Sequence, residues 1–216
     1  MPEAIKGWGD QTQLSLSWVA GAAGDELGIG KQKHRGITAR VGYDLVDGRL
    51  TLAPYVSLTF ARVSGTRKEI SRGRSTFVPD DKRFGLGEPR VSSRSYLVEE
   101  TGSVTRSAAR GGLAVGWFLR ASDDSASGVG LQAVFEAGPE ILSANNVERH
   151  YPDQTVRLSG SDGLSMKAGA ETLVLVGPAS VGLGLLLGAY WLRSMNPVHH
   201  GSDNSGEVDI GLAAAF

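Results

Sequence analysis

The chain has 216 residues, with 22 basic and 23 acidic side chains and a formal charge of −1, so its bulk charge implies no attraction to nucleic acid. It has no cysteine, which excludes disulfides, thiolate metal sites and a cysteine nucleophile. Glycine is abundant, at 30 residues, and no apolar run approaches the ~18 residues of a membrane helix.

The first residues, MPEAIKGWGDQ, hold neither a basic n-region nor an apolar h-region, so no signal peptide is read here. A mature exported chain carrying an added Met would begin in the same way.

Beyond them the apolar residues recur with period 2, the side-chain period of a β-strand. In 12–22, Leu14, Leu16 and Trp18 alternate with Gln13, Ser15 and Ser17. In 37–45, Ile37, Ala39, Val41, Tyr43 and Leu45 alternate with Thr38, Arg40, Gly42 and Asp44. In 50–63 the apolar set is Leu50, Leu52, Val56, Leu58 and Phe60, against Thr51, Ala53, Tyr55, Ser57 and Thr59. In 104–119, Ala109, Leu113, Val115, Trp117 and Leu119 stand against Arg106, Arg110, Gly112 and Gly116. In 129–142, Val129, Leu131, Ala133, Phe135 and Ile141 stand against Gly130, Gln132, Glu136, Gly138 and Glu140. In 163–176, Leu164, Met166, Ala168, Ala170, Val174 and Val176 stand against Ser165, Lys167, Gly169 and Glu171. In 181–195, Val181, Leu183, Leu185, Leu187, Ala189 and Trp191 stand against Gly182, Gly184, Gly188 and Tyr190. The last segment, 207–216, sets Val208, Ile210, Leu212, Ala214 and Phe216 against Glu207, Asp209, Gly211, Ala213 and Ala215. No long amphipathic helix pattern interrupts these eight segments.

Short and long connections alternate. The stretches 46–49, with an Asp-Gly turn, 121–128 and 177–180 are short; 23–36, 64–102, 143–162 and 196–206 are long. An antiparallel meander puts alternate connections at opposite ends, so one end is trimmed and the other elaborated, as in an outer-membrane barrel. The face opposite the apolar one is mostly Gly, Ala and Ser. Small residues suit the lumen of a barrel of about eight strands, which side chains nearly fill. The expected fold is all-β: one closed, up-and-down antiparallel transmembrane barrel spanning 1–216, with eight strands, or ten if 64–102 adds a hairpin. The apolar face would meet lipid, with Trp18, Trp117, Trp191, Tyr43 and Phe216 as girdle aromatics.

The ending GEVDIGLAAAF, with a terminal Phe216 and apolar residues at alternating positions before it, resembles the C-terminal signature of bacterial outer-membrane β-barrels. The architecture resembles that of the small barrels of the outer membrane protein A, X and W type. The resemblance implies residence in the bacterial outer membrane and recognition of the last strand by the barrel-assembly machinery. The stretch RVGYDLVDGRLTLAPYVSLTFARV, 40–63, is also similar to a hairpin of autotransporter translocator barrels, which have more strands than this chain has room for.

Three groups of residues are candidates for function. On the lumen face, Arg40, Arg106, Arg110 and Lys167 stand with Asp44, Glu136, Glu140, Glu171, Glu207 and Asp209. Buried charges persist when paired, so a network plugging the lumen is expected, with Arg106, Arg110 and Lys167 within reach of Glu136 and Glu140; a path for a small solute is the alternative. In HHGSDNSGE, 199–207, His200, Ser202 and Glu207 have the residue types of a nucleophile, base and acid. That pattern resembles the His-x-Ser of outer-membrane lipid A deacylases, although in that family the pair lies on the penultimate strand, which here carries Tyr190 and Trp191. The adjacent histidines could hold a metal with His34 or His150, but no regular ligand spacing supports one, and neither a metal nor a cofactor is expected. The connection 64–102 is rich in Arg and Lys, and Arg62 and Arg193 sit on the lipid-facing parity at the outer ends of their strands, where they would meet lipopolysaccharide phosphates. The first expectation is a non-enzymatic scaffold that presents loops to lipopolysaccharide, a host surface or a protein partner. A narrow channel and a lipid A acyl hydrolase are the alternatives.

Overall fold

The structure, a computed structural model, describes residues 11–23, 32–45, 50–77, 90–121, 125–150, 155–157, 161–178, 180–196 and 201–216. Among them the strands are β1 (Thr12–Ala23), β2 (Gln32–Tyr43), β3 (Leu50–Phe77), β4 (Arg90–Arg120), β5 (Gly128–His150), β6 (Thr155–Arg157), β7 (Ser161–Val176), β8 (Gly182–Asn196) and β9 (Gly201–Ala215). All pairings are antiparallel. Eight strands close a barrel in which β1 pairs with both β2 and β9, while β6 lies outside the ring and pairs only with the end of β5.

The register fixes the barrel's shape. Followed once round from Ser143 through Thr105, Arg62, Arg35, Ala20, Val208, Ala189 and Ala170, the ladder returns to β5 at Ala133, ten residues from where it began. That stagger tilts the strands by about 40° and leaves an interior that side chains can fill. Closure also removes every sheet edge from the wall, as hydrocarbon requires.

Alternation decides what faces where. Leu16, Trp18, Leu185, Leu212 and Phe216 are all more than half exposed on the outside of the wall. Their strand neighbours Ser17, Leu186 and Ala213 are buried inside it. An apolar surface running round every strand is a liability in water and a requirement in lipid, so the fold is that of a transmembrane barrel. Phe216 completes the ring, exchanging two backbone hydrogen bonds with Thr12 (2.8 and 3.0 Å).

The two ends differ. At the short-turn end, residues 125–127 fold under the mouth. Ala126 donates its N–H to the Gly177 carbonyl (3.0 Å), Gly177 donates to Ser127 Oγ (3.1 Å), and Ala126 is fully buried. At the other end, most of what the sequence offers as the loop 64–102 is strand. β3 and β4 stay paired from Gly65–Gly102 out to Phe77–Arg90, so the segment lengthens two strands instead of adding two more. The alternation of apolar residues stops where the wall ends, because beyond lipid neither face has to be apolar. The connection 143–162 shortens in the same way, with β5 running to His150. The turn 46–49 lies outside the described residues.

Candidate functional site

The interior is stacked in layers. Nearest the short turns, Phe118, Ala126, Leu173, Leu175, Leu186, Ala213 and Ala215 form a buried apolar cluster. Above it lies a cavity of about 20 Å³, lined among others by Gln13, Ser15, Arg40, Tyr55 and Glu171, and large enough for a water molecule.

Next come the charges. Arg40 Nη1 donates to both oxygens of Glu171 (2.7 and 2.9 Å), and its guanidinium lies 4.3 Å from the centre of the Tyr55 ring. Tyr190 donates its hydroxyl to Glu171 Oε2 (2.8 Å), and the Lys167 ammonium sits 3.9 Å over the Tyr190 ring. Both tyrosine rings occupy the space beside glycines. A methyl group at Gly112 would overlap the Tyr55 ring, and one at Gly188 the Tyr190 ring. Glycine at these two positions is therefore what lets the rings cover the charges.

Lys167 donates to Glu207 and to Asp209 Oδ2 (2.9 Å), and His34 Nε2 lies 3.1 Å from Glu207 Oε2. Arg110 binds four side chains. Its Nε donates to Ser165 Oγ (2.7 Å), its Nη1 to Thr59 Oγ1 (3.3 Å) and Glu136 Oε1 (3.4 Å), and its Nη2 to Glu140 Oε2 (3.4 Å). Ser57 donates to Glu136 Oε2 (2.8 Å), Ser194 to Glu140 Oε1 (2.5 Å), and Arg106 Nε lies 3.2 Å from Glu140 Oε2. Arg106, Arg110, Lys167, Glu136, Glu140 and Asp209 are each no more than 2% exposed. Toward the hairpin end Val63, Val104, Leu142 and Leu192 turn inward and are buried, a second apolar layer beyond the charges.

The interior thus brings together Arg40 with Glu171, Arg106 and Arg110 with Glu140, Arg110 with Glu136, and Lys167 with Glu207 and Asp209. It does not send Lys167 to Glu136 or Glu140, although Glu136 is its cross-strand partner. The lysine reaches instead past β8 to the next strand, β9, where two carboxylates converge. Asp44 accepts the Leu52 N–H at 3.1 Å near the short-turn end.

Of the residues with triad chemistry, Glu207 is buried with Lys167 and His34, Ser202 is a backbone partner of Met195, and His200 lies outside the described residues. Arg62 and Arg193 are exposed on the outside of the wall, with Arg62 Nη2 donating to Ser103 Oγ (3.2 Å). Sequence reasoning missed His34 as a lumen residue because it lies in what reads as a connection. It also passed over Phe118 and Leu175, whose parity places them inside. Among the described residues no group of His, Asp or Glu has the arrangement of a metal site.

No protein-family model and no curated protein sequence matches the chain. Similar solved structures include Ail, the attachment invasion locus protein of Yersinia pestis, at 14% identity and TM-score 0.45, covering 96% of this chain and 99% of that one. Ail in complex with the heparin analogue sucrose octasulfate is similar at 12% identity and TM-score 0.39, with 96% and 99% covered. The N-terminal β-barrel domain of Pseudomonas aeruginosa OprF is similar at 9% identity and TM-score 0.36, with 96% and 98% covered. The likeness is one of barrel architecture.

Proposed function

We propose that the protein is a bacterial outer-membrane scaffold: a plugged barrel, inserted with its short turns toward the periplasm, that carries the β3–β4 hairpin to a ligand outside the cell. The observation that carries this reading is the contrast between the two parts. The lumen is filled by charge pairs between two apolar layers, while β3 and β4 run together well past the last pairing of β3 with β2 at Gly65. A sealed interior leaves the outer surface as the working part. The acid of the candidate triad, Glu207, is committed to Lys167 and His34, which speaks for binding over hydrolysis.

The hairpin's register suggests what it binds. In the register near the barrel, position 67 (Arg) is the partner of 100 (Glu) and 68 (Lys) of 99 (Glu). Farther out, the strands 70–77 and 90–98 hold Arg72, Arg74, Arg90 and Arg94 and no acidic residue. These two basic strand stretches suit an acidic glycan, whose sulfate, phosphate or carboxylate groups arginine binds bidentately. Arg62 and Arg193 would meet phosphates of lipopolysaccharide at the membrane surface, and Phe216 would be read by the barrel-assembly machinery.

The test is to replace 68–99 by a tight turn and measure cell-surface binding of the chain to heparin and to lipopolysaccharide. Loss of binding with unchanged heat-modifiable gel mobility supports the scaffold. Unchanged binding to both sinks it. Release of fatty acid from lipid A, abolished by Ser202→Ala, would favour the hydrolase instead.

A further inference from the structure

We propose that Lys33, Arg35 and Arg62 form a phosphate cradle on the outside of the barrel wall, which holds a phosphorylated lipid of the outer leaflet without a divalent cation. The inference rests on the orientation proposed above, hairpin end outward.

Arg35 on β2 and Arg62 on β3 are direct cross-strand partners, and both are exposed. Partners in such a pair have Cβ atoms about 4.5–5.5 Å apart, and like charges there are destabilising. Lys33, two residues along β2, is also exposed and opposite the exposed Ser64. Three cations therefore share one small patch of wall.

Among the described side chains the exposed charges are Lys33, Arg35, Arg62 and Arg193, with Asp162 on β7 as the one exposed acid. Asp162 pairs with Ile141 of β5 and is far round the ring from β2. The bond from Arg62 Nη2 to Ser103 Oγ holds that guanidinium in place.

The height is right for a lipid headgroup. One rung toward the short-turn end on the same face, Ile37 pairs with Phe60 and Trp18, and all three are about half exposed. The cradle thus stands just above the apolar wall, where the phosphates of outer-leaflet lipids lie and where long cationic side chains reach the interface. Phosphates packed side by side in a leaflet need counter-charge, ordinarily from divalent cations. Two guanidinium forks and an ammonium supply it from the wall, with bidentate geometry that a point charge lacks.

The test uses the whole chain refolded in zwitterionic detergent with EDTA. Diphosphoryl lipid A, the same lipid stripped of phosphate, and inorganic phosphate are titrated separately, with tryptophan fluorescence as the readout. Diphosphoryl lipid A is expected to bind in EDTA, the dephosphorylated lipid and the Arg35→Gln/Arg62→Gln double variant each at least about tenfold more weakly. Equal affinity in the double variant, or equal binding of the dephosphorylated lipid, overturns the proposal. Inorganic phosphate that competes at the concentration of the lipid overturns the lipid assignment. Thermal unfolding adds a second readout: without lipid, the single variant Arg35→Gln, which keeps the bond from Arg62 to Ser103, is expected to be at least as stable as the parent, because a repulsion is relieved. A less stable Arg35→Gln variant contradicts the repulsion on which the cradle is argued. Removal of the distal hairpin is expected to leave lipid A binding intact, so failure here and failure of the hairpin reading can be told apart.

Discussion

Lys167 and Glu136 face each other across the β5–β7 ladder, yet the lysine reaches past β8 to Glu207 and to Asp209, 2.9 Å away, on β9. Two carboxylates on β9 outbid one on the adjacent strand, and the Tyr190 ring beneath the ammonium guides the crossing. Lys167→Met is expected to destabilise the barrel by about 3–5 kcal/mol, because it leaves two buried carboxylates without their cation. Adding Glu207→Gln and Asp209→Asn to it should recover much of the loss. Urea unfolding in detergent, followed by circular dichroism, measures both, and a triple variant as unstable as the single one would refute the pairing.

The wall is tested at Leu185, on β8, half exposed to the outside with Val174 and Leu212 beside it. Leu185→Arg is expected to cost about 2–4 kcal/mol in a bilayer if the site lies near the midplane. In vesicles the variant should fold with a lower midpoint. A chain that folds as a monomer in plain buffer would contradict the membrane wall.

Gly188 and Tyr190 share a single space. Tyr190→Phe deletes the hydroxyl that binds Glu171 and should cost about 1–3 kcal/mol. Gly188→Ala drives a methyl into the same ring and should cost about as much. Because both act through the ring's hold on Glu171, the double variant is expected to lose less than the two single losses combined. Additive losses would mean that the ring does not cover the charge.

Phe216 combines packing and recognition. Its backbone closes the ring on Thr12 while its side chain stays half exposed. Deleting it should impair assembly in cells far more than refolding into detergent. Equal impairment in both would reduce the ending to an ordinary strand terminus.

The strand faces could be read from the chain because lipid and lumen impose opposite chemistries on alternate residues. Val56, Leu58 and Phe60 face out and Tyr55, Ser57 and Thr59 face in, as period 2 dictates. Where both faces are apolar the signal vanishes. Around 117–119 and 173–176 every residue is bulky and apolar, and alternation alone does not reveal that Phe118, Leu173 and Leu175 seal the interior. Where both faces are polar it vanishes again, so β3 and β4 outrun their apolar pattern and β2 begins early enough to place His34 on Glu207. The partner of Lys167 was hidden for a different reason. Sequence adjacency names the strands beside it, whereas the partner lies two strands along, on β9, reached over the Tyr190 ring of β8.

Conductance of the refolded chain in planar bilayers tests the plugged scaffold most directly. With Arg40–Glu171, Arg110–Glu136–Glu140 and Lys167–Glu207–Asp209 stacked between apolar layers, the account predicts no steady current at any holding potential that the bilayer survives. Stable, ohmic, single-sized openings from the unmutated protein would contradict it and make the barrel a channel.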